Sequence, residues 1–264
     1  MKRNVDYLKP MLECLSDRLA LSVFTVTNTL VDGAGSLFQA LTDANQNPGF
    51  DEIHFDIPGE GGHLIDLTSI GGLDVKDSVM IDGFTQSGSQ VNSLAIGNNS
   101  KLNIELRSNF GRLQIEANDC VLQGLAFNGG EVYLDGKRNE IRGCFFGTDS
   151  TGLTLAPPLG PLTTIDGMVS IYGADNIIGG VRPADRNVIS GGDYYGNGVY
   201  LLGSKNHIVN NYIGLDRDGE RILGNYNGIG VFGIGNVIGG LDYGAGNVIS
   251  GNKSRGIRGS NKTS

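Results

Sequence analysis

Asn187-Val188-Ile189-Ser190-Gly191 recurs as Asn247-Val248-Ile249-Ser250-Gly251, and Asn176-Ile177-Ile178-Gly179-Gly180 recurs as Asn236-Val237-Ile238-Gly239-Gly240, both 60 residues further on. Self-similarity at a fixed spacing is the mark of a stacked repeat, so it takes precedence over any element-by-element reading. Upstream, Phe146-Gly147-Thr148-Asp149-Ser150-Thr151-Gly152 matches Ile213-Gly214-Leu215-Asp216-Arg217-Asp218-Gly219 at a spacing of 67. The excess is accounted for by a Pro-rich insertion around Ala156-Pro157-Pro158-Leu159-Gly160-Pro161, expected to bulge as a loop from a constant frame.

A finer period lies within the 60. Alternating segments at Val169-Ser170-Ile171, Val199-Tyr200-Leu201, Ile229-Gly230-Val231 and Ile257-Arg258 are spaced by 30, 30 and 28 residues, and the first three are followed by Gly173, Gly203 and Gly233. A second row runs Ile177, Ile208, Val237 and a third Val188, Ile213, Val248. Three short strands per turn of about 30 residues, with Gly and Asn at the corners, can stack coil on coil, because no single coil buries its own inward side chains. Successive coils would pair as parallel strands about 4.8 Å apart with polar residues facing outward. Asn176 and Asn236, like Asn187 and Asn247, are expected at equivalent corners, where Asn tolerates a left-handed backbone and its amide can bond the next coil's Asn. Leu122-Gln123-Gly124-Leu125-Ala126-Phe127 repeats after 19 residues as Ile141-Arg142-Gly143-Cys144-Phe145-Phe146, a shorter coil in which Cys144 takes the core place of Leu125 as a reduced, buried thiol.

Ahead of the coils, Phe24-Thr25-Val26-Thr27-Asn28 alternates as a strand. Leu37, Ala40, Leu41 and Ala44 share one helical face behind Ser36, a plausible N-cap, and Asn47-Pro48-Gly49 stops that helix. Glu52-Ile53-His54-Phe55-Asp56-Ile57-Pro58 is a second strand. The fold expected is therefore all-β: a right-handed parallel β-helix with three short strands per coil and an N-terminal capping strand-helix-strand. Residues 1–23 are set apart as an export-type or disordered segment, 24–60 as the cap and 61–264 as the solenoid, expected to be truncated at its C-terminal end.

Composition narrows the function. A formal charge of -8 and a pI of about 4.8 argue against a nucleic-acid or anionic-membrane partner. No apolar run approaches the roughly 18 residues of a spanning helix, which argues against membrane insertion. Cys14, Cys120 and Cys144 supply neither a disulfide framework nor zinc-ligand spacing.

The quoted repeats resemble those of bacterial right-handed parallel β-helix proteins of the pectin-lyase-like superfamily, built from NxIGTDxxG, GIxIxG, NxIGG and NVISGN units. Asp32-Gly33-Ala34-Gly35-Ser36-Leu37-Phe38-Gln39-Ala40 resembles that family's Gly-Ser-Leu-Arg-x-Ala leader, with Phe38 in the place of Arg, and Val79-Met80-Ile81-Asp82-Gly83-Phe84-Thr85-Gln86 is similar to its first-coil segment. Leu12-Glu13-Cys14-Leu15-Ser16-Asp17-Arg18-Leu19-Ala20-Leu21-Ser22 resembles an N-terminal segment of large exported bacterial proteins, which implies an extracellular or cell-surface location.

The superfamily includes polysaccharide lyases, hydrolases and epimerases. Arg182-Pro183-Ala184-Asp185-Arg186 resembles the pectate-lyase RxPxxR signature but is one residue short, and the matching loop Leu241-Asp242-Tyr243-Gly244-Ala245-Gly246 has no Arg, so it reads as a variable corner. The hydrolase NTD, DD, GHG and RIK motifs are absent, and His207, preceding the inward Ile208, is expected to face solvent. Tyr194, Tyr195, Tyr226 and Tyr243 fall in corner loops and are the candidate carbohydrate-binding residues. Asp216 and Asp218 are the candidate Ca2+ ligands, and no other cofactor is indicated. The sequence thus favours an exported structural, adhesive or glycan-contacting module over a polysaccharide lyase or hydrolase, with a polysaccharide or cell-surface glycan as partner and the oligomeric state open.

Overall fold

A computed structural model describes residues 21–108, 112–156, 166–192 and 196–259. The described chain winds as a right-handed parallel β-helix in three parallel sheets. Sheet A has eight strands, from Val23–Val26 to Val237–Ile238. Sheet B has seven, from His63–Asp66 to Val248–Ile249, and sheet C has seven, from Gly72–Val75 to Arg255–Gly259. Each coil passes from A to B to C, and each strand hydrogen-bonds to its counterpart one coil away.

Burial of inward rows stabilises the stack. In sheet C, Val132, Val169, Val199, Ile229 and Ile257 are consecutive partners, as the sequence rows require. The other two rows differ from expectation by one residue. The inward row of sheet A is Ile141, Ile178, Ile208, Ile238, while Ile177, His207 and Val237 face outward. In sheet B the inward row is Phe146, Ile189, Ile213, Ile249, and Val188 pairs instead with Phe145 and Tyr212, Tyr212 in turn with Val248, in the outward row. Side-chain direction has a period of two, so a one-residue slip exchanges core and surface. Segments of the form Val-Ile are apolar on both faces and conceal which residue points in. His207 is exposed, as its place before Ile208 suggested. Within the core, the Phe127 and Phe146 rings stack at 4.8 Å, which is the coil spacing. Each fully buried side chain of this size contributes about 1.5–3 kcal/mol.

The corner from sheet C to sheet A is the most regular part of the coil. Asn139 N–H donates to Asn176 Oδ1 (2.8 Å), Asn176 N–H to Asn206 Oδ1 (2.9 Å) and Asn206 N–H to Asn236 Oδ1 (2.8 Å). The left-handed residue is the one before each ladder Asn rather than the Asn itself: Arg138, Asp175 and Lys205 have φ of 57–59°. Three residues ahead of the ladder stands Gly136, Gly173, Gly203 or Gly233. A Cβ on Gly203 would lie 1.8 Å from the Gly173 carbonyl oxygen, so only glycine allows the coils this approach. A second ladder at the A-to-B corner runs from Cys144 N–H to Asn187 Oδ1, from Asn187 Nδ2 to Asn211 Oδ1 and from Asn211 N–H to Asn247 Oδ1. The two described cysteines begin the ladders: Cys120 N–H donates to Asn139 Oδ1, and Cys144 heads the second. Both thiols are free and buried, and burial pushes Cys120 up to about 11 and Cys144 up to about 12.

At the N-terminal end, helix α1 (Leu37–Gln46) starts at Ser36, whose Oγ accepts from Gln39 N–H. Its Leu37, Ala40, Leu41 and Ala44 join the solenoid core and pack on the first strands of sheets A and C. Asp51–Phe55 lies between Val23–Val26 and Val79–Asp82 in sheet A, so it closes the cap and opens the first coil.

Candidate functional site

The outer faces of sheets B and C share the same alternation but have different surroundings. On sheet B, the outward row Ala126, Phe145, Val188, Tyr212 is buried. An excursion over residues 83–103, between the sheet-A strand Val79–Asp82 and the sheet-B strand Ile104–Arg107, brings Phe84 and Leu102 onto Ala126, Phe145 and Val188. Arg186 locks its far end. Its guanidinium donates to the Leu94, Ala95 and Gly97 carbonyls and twice to Asn210 Oδ1, so all five N–H groups are occupied, and it lies 4.8 Å from the Tyr212 ring centroid. Tyr212 Oη in turn accepts from Gly97 N–H (2.9 Å). Burial lowers the Arg186 pKa from its ordinary value. The RxPxxR-like segment is therefore a fastener: Arg186 has no donor left for a substrate, and Arg182 forks onto the buried Asp185 at 2.8 and 3.0 Å.

Sheet C carries an aromatic strip on its outer face. Tyr133 stacks on Tyr172 with centroids 5.7 Å apart and rings within 2° of parallel. Tyr172 meets Tyr200 at 6.2 Å, tilted 58°, and Tyr200 meets Phe232 at 5.1 Å, tilted 44°. The strip zigzags, because Tyr133 and Tyr200 belong to one outward row and Tyr172 and Phe232 to the position two residues later. Small residues make room for it: Ser170 separates Tyr133 from Tyr200 in the pairing register and is fully buried, and a Cβ on Gly230 would sit 3.1 Å from the Phe232 ring. Arg112 lies 5.4 Å from the Tyr133 centroid at one end and Arg258 5.7 Å from Phe232 at the other.

Two carboxylates grip the first two hydroxyls. Tyr133 Oη donates to Glu131 Oε2 (2.6 Å) and Tyr172 Oη to Asp166 Oδ2 (2.7 Å). Burial raises the pKa of Glu131, offset by the Tyr133 hydrogen bond, with the Asp166 charge adding to the rise. Burial and the adjacent carboxylates also push both tyrosines above their ordinary value, so the phenols stay neutral donors. A small cavity between sheets B and C adjoins this end, lined by the core residues Leu67, Leu106, Leu113 and Phe127 together with Arg112 and Glu131.

The loop candidates from sequence are placed differently. Tyr194 and Tyr195 lie outside the described residues. Tyr226 is half-buried in the connection from sheet B to sheet C, and Tyr243 is exposed in the one from sheet A to sheet B, so the two flank opposite edges of sheet B. Asp216 is buried and its Oδ1 accepts from the N–H groups of Glu220 and Arg221, closing a turn bridged by Leu215 and Ile222. Asp218 lies 3.8 Å from Arg217. Asp149, the counterpart of Asp216, ties its own turn through Thr151 and Thr154. Among the described residues no three His, Cys, Asp or Glu side chains converge as a metal cluster, and no helix is long and apolar enough to cross a membrane.

Sequence reasoning passed over the sheet-C aromatics because it sought aromatics in loops. The available signal was the outward place of Tyr200 in Val199-Tyr200-Leu201, combined with Tyr172 and Phe232 just after the equivalent strands. The chain matches no family model, and neither the curated proteins nor the solved structures contain a match to it.

Proposed function

We propose that the protein is an exported or cell-surface β-helix module of pectin-lyase-like type, with a structural and adhesive role, that contacts glycan through the outer face of sheet C. The observation that carries this reading is the aromatic strip Tyr133, Tyr172, Tyr200, Phe232. Aromatic faces take up the C–H faces of pyranose rings, and nearby carboxylates and guanidinium groups bond the sugar hydroxyls. The tilts on both sides of Tyr200 leave its ring without a face-to-face aromatic partner. The charges elsewhere that could serve chemistry are used for folding: Arg186 clamps the excursion, and Asp149 and Asp216 close turns.

One feature favours the second reading, a polysaccharide hydrolase. Glu131 has a raised pKa, as a general acid needs, and a second carboxylate, Asp166, acts on it electrostatically. One experiment separates the two. Purified protein is titrated with a panel of acidic and neutral polysaccharides, with and without Ca2+, while unsaturated-product absorbance and reducing ends are followed. Binding without turnover, weakened by Tyr172→Ala, is expected. Turnover abolished by Glu131→Gln would replace the first reading by the second, and silence in both arms would refute the glycan assignment.

A further inference from the structure

The cation contacts of the sheet-C strip fall at its two ends. Arg112 lies over Tyr133 and Arg258 over Phe232, whereas Tyr200, tilted against both neighbours, has no guanidinium or ammonium group over its ring among the described residues. A carboxylate stands beside that ring. Asn197 N–H donates to the Asp166 carbonyl (3.1 Å), and a Cβ on Gly167 would sit 3.0 Å from Tyr200 Cβ, so residues 166–167 run along the start of the Tyr200 strand. Glu131, whose Oε1 is buried without a hydrogen-bond partner, adds a second negative charge and repels Asp166. A positively charged donor placed on Tyr200 therefore gains from the ring and from both carboxylates. The row of Tyr172 continues toward the N-terminal end as the exposed Asp135 and Glu116, so a polyanion would meet like charge there.

We infer that the glycan taken by this face is a polymer of amino sugars with free, protonated amines, one of which sits on Tyr200 within reach of Asp166. The inference rests on the glycan reading of sheet C and adds the charge of the sugar to it. An amino sugar joins the two things the site offers partners for. Its C–H face packs on the aromatic ring, and the ammonium group attached directly to that pyranose ring supplies donors to the carboxylate. A uronate polymer has the same C–H face with the opposite charge, and an N-acetylated sugar has the face with none. A lysine-rich peptide has the ammonium group without the flat C–H face.

Calorimetric titration of the full chain with glucosamine, N-acetylglucosamine and galacturonate oligosaccharides of equal length tests this, at a pH where the amine is protonated. The amine form is expected to bind about tenfold more tightly than the acetylated form, and galacturonate most weakly. Asp166→Asn should bring the ratio of amine to acetylated affinity close to one, and so should Tyr200→Leu. Asp242→Asn removes the same charge from an exposed connection between sheets A and B and should leave the ratio unchanged. Equal affinity for the amine and acetylated forms, tighter binding of galacturonate, or an equal loss from Asp242→Asn would overturn the inference and leave the glycan reading in place. Poly-lysine binding as tightly as the glucosamine oligosaccharide, with the same sensitivity to Asp166→Asn, would overturn it in favour of peptide recognition. Failure of all three sugars to bind would refute the glycan reading and the inference with it.

Discussion

Sheets B and C of one coil alternate in the same way, yet the outward aromatics of sheet B are covered and those of sheet C form a surface. Phe145 and Tyr212 lie under the 83–103 excursion, whereas Tyr133, Tyr172 and Tyr200 remain half-exposed along an open strip. Among the described residues, a ring on an outward position is therefore packed or left half-exposed according to whether a distant loop returns over it. Arg186 decides the matter for sheet B, because it anchors a segment some ninety residues earlier in the chain.

The largest expected effect comes from the element common to both sheets. Val199→Asp or Ile229→Asp buries an unpaired charge in the core row and should cost several kcal/mol, seen as loss of cooperative unfolding across several coils. Next, Arg186→Ala should strip the clamp from sheet B. With the Leu94, Ala95 and Gly97 carbonyls and the buried Asn210 losing their charged donor, it should destabilise by about 2 kcal/mol and open residues 83–103 to proteolysis. Arg182→Ala removes the exposed end of its ion pair but leaves the buried Asp185 carboxylate with the backbone N–H of residue 182, and should cost about 1 kcal/mol. On sheet C the effects reverse in kind: Tyr172→Ala should weaken glycan affinity about fivefold, from about 1 kcal/mol of aromatic contact, while the melting temperature moves by only a few degrees.

The smallest effect is a pH dependence. Burial raises the Glu131 pKa above that of the unfolded chain. Below the ordinary carboxylate range both states hold the proton. As pH rises toward the raised native value, the unfolded state releases its proton first, so native stability declines across that window. Glu131→Gln should remove this slope, measured as melting temperature against pH, and leave the slopes due to other carboxylates in place.

The architecture was legible because a solenoid writes its geometry into the sequence as a period. The row Val169, Val199, Ile229, the cap helix behind Ser36 and the core place of Cys144 all followed from spacing and side-chain type. Register in sheets A and B was not legible, since Ile177-Ile178 and Val188-Ile189 are apolar on either face and only pairing with His207 and Tyr212 reveals the direction. The strip on sheet C was hidden for another reason. Its rings alternate between two outward positions, so no single row of the repeat contains all four, and the contact between Tyr133 and Tyr172 crosses a 39-residue interval that includes the Pro-rich insertion. The role of Arg186 was out of reach, because its partners at Leu94, Ala95 and Gly97 are carbonyls in a segment without a repeat signature.

The central claim, that the open aromatic face of sheet C is the contact surface, is tested most directly by calorimetric titration of one bound polysaccharide into wild type and a Tyr133/Tyr172/Tyr200→Ser variant. Loss of measurable binding by the variant, with its circular dichroism spectrum and cooperative unfolding retained, is the expected result. Equal affinity in the two proteins would contradict the account and place the contact on another face of the solenoid.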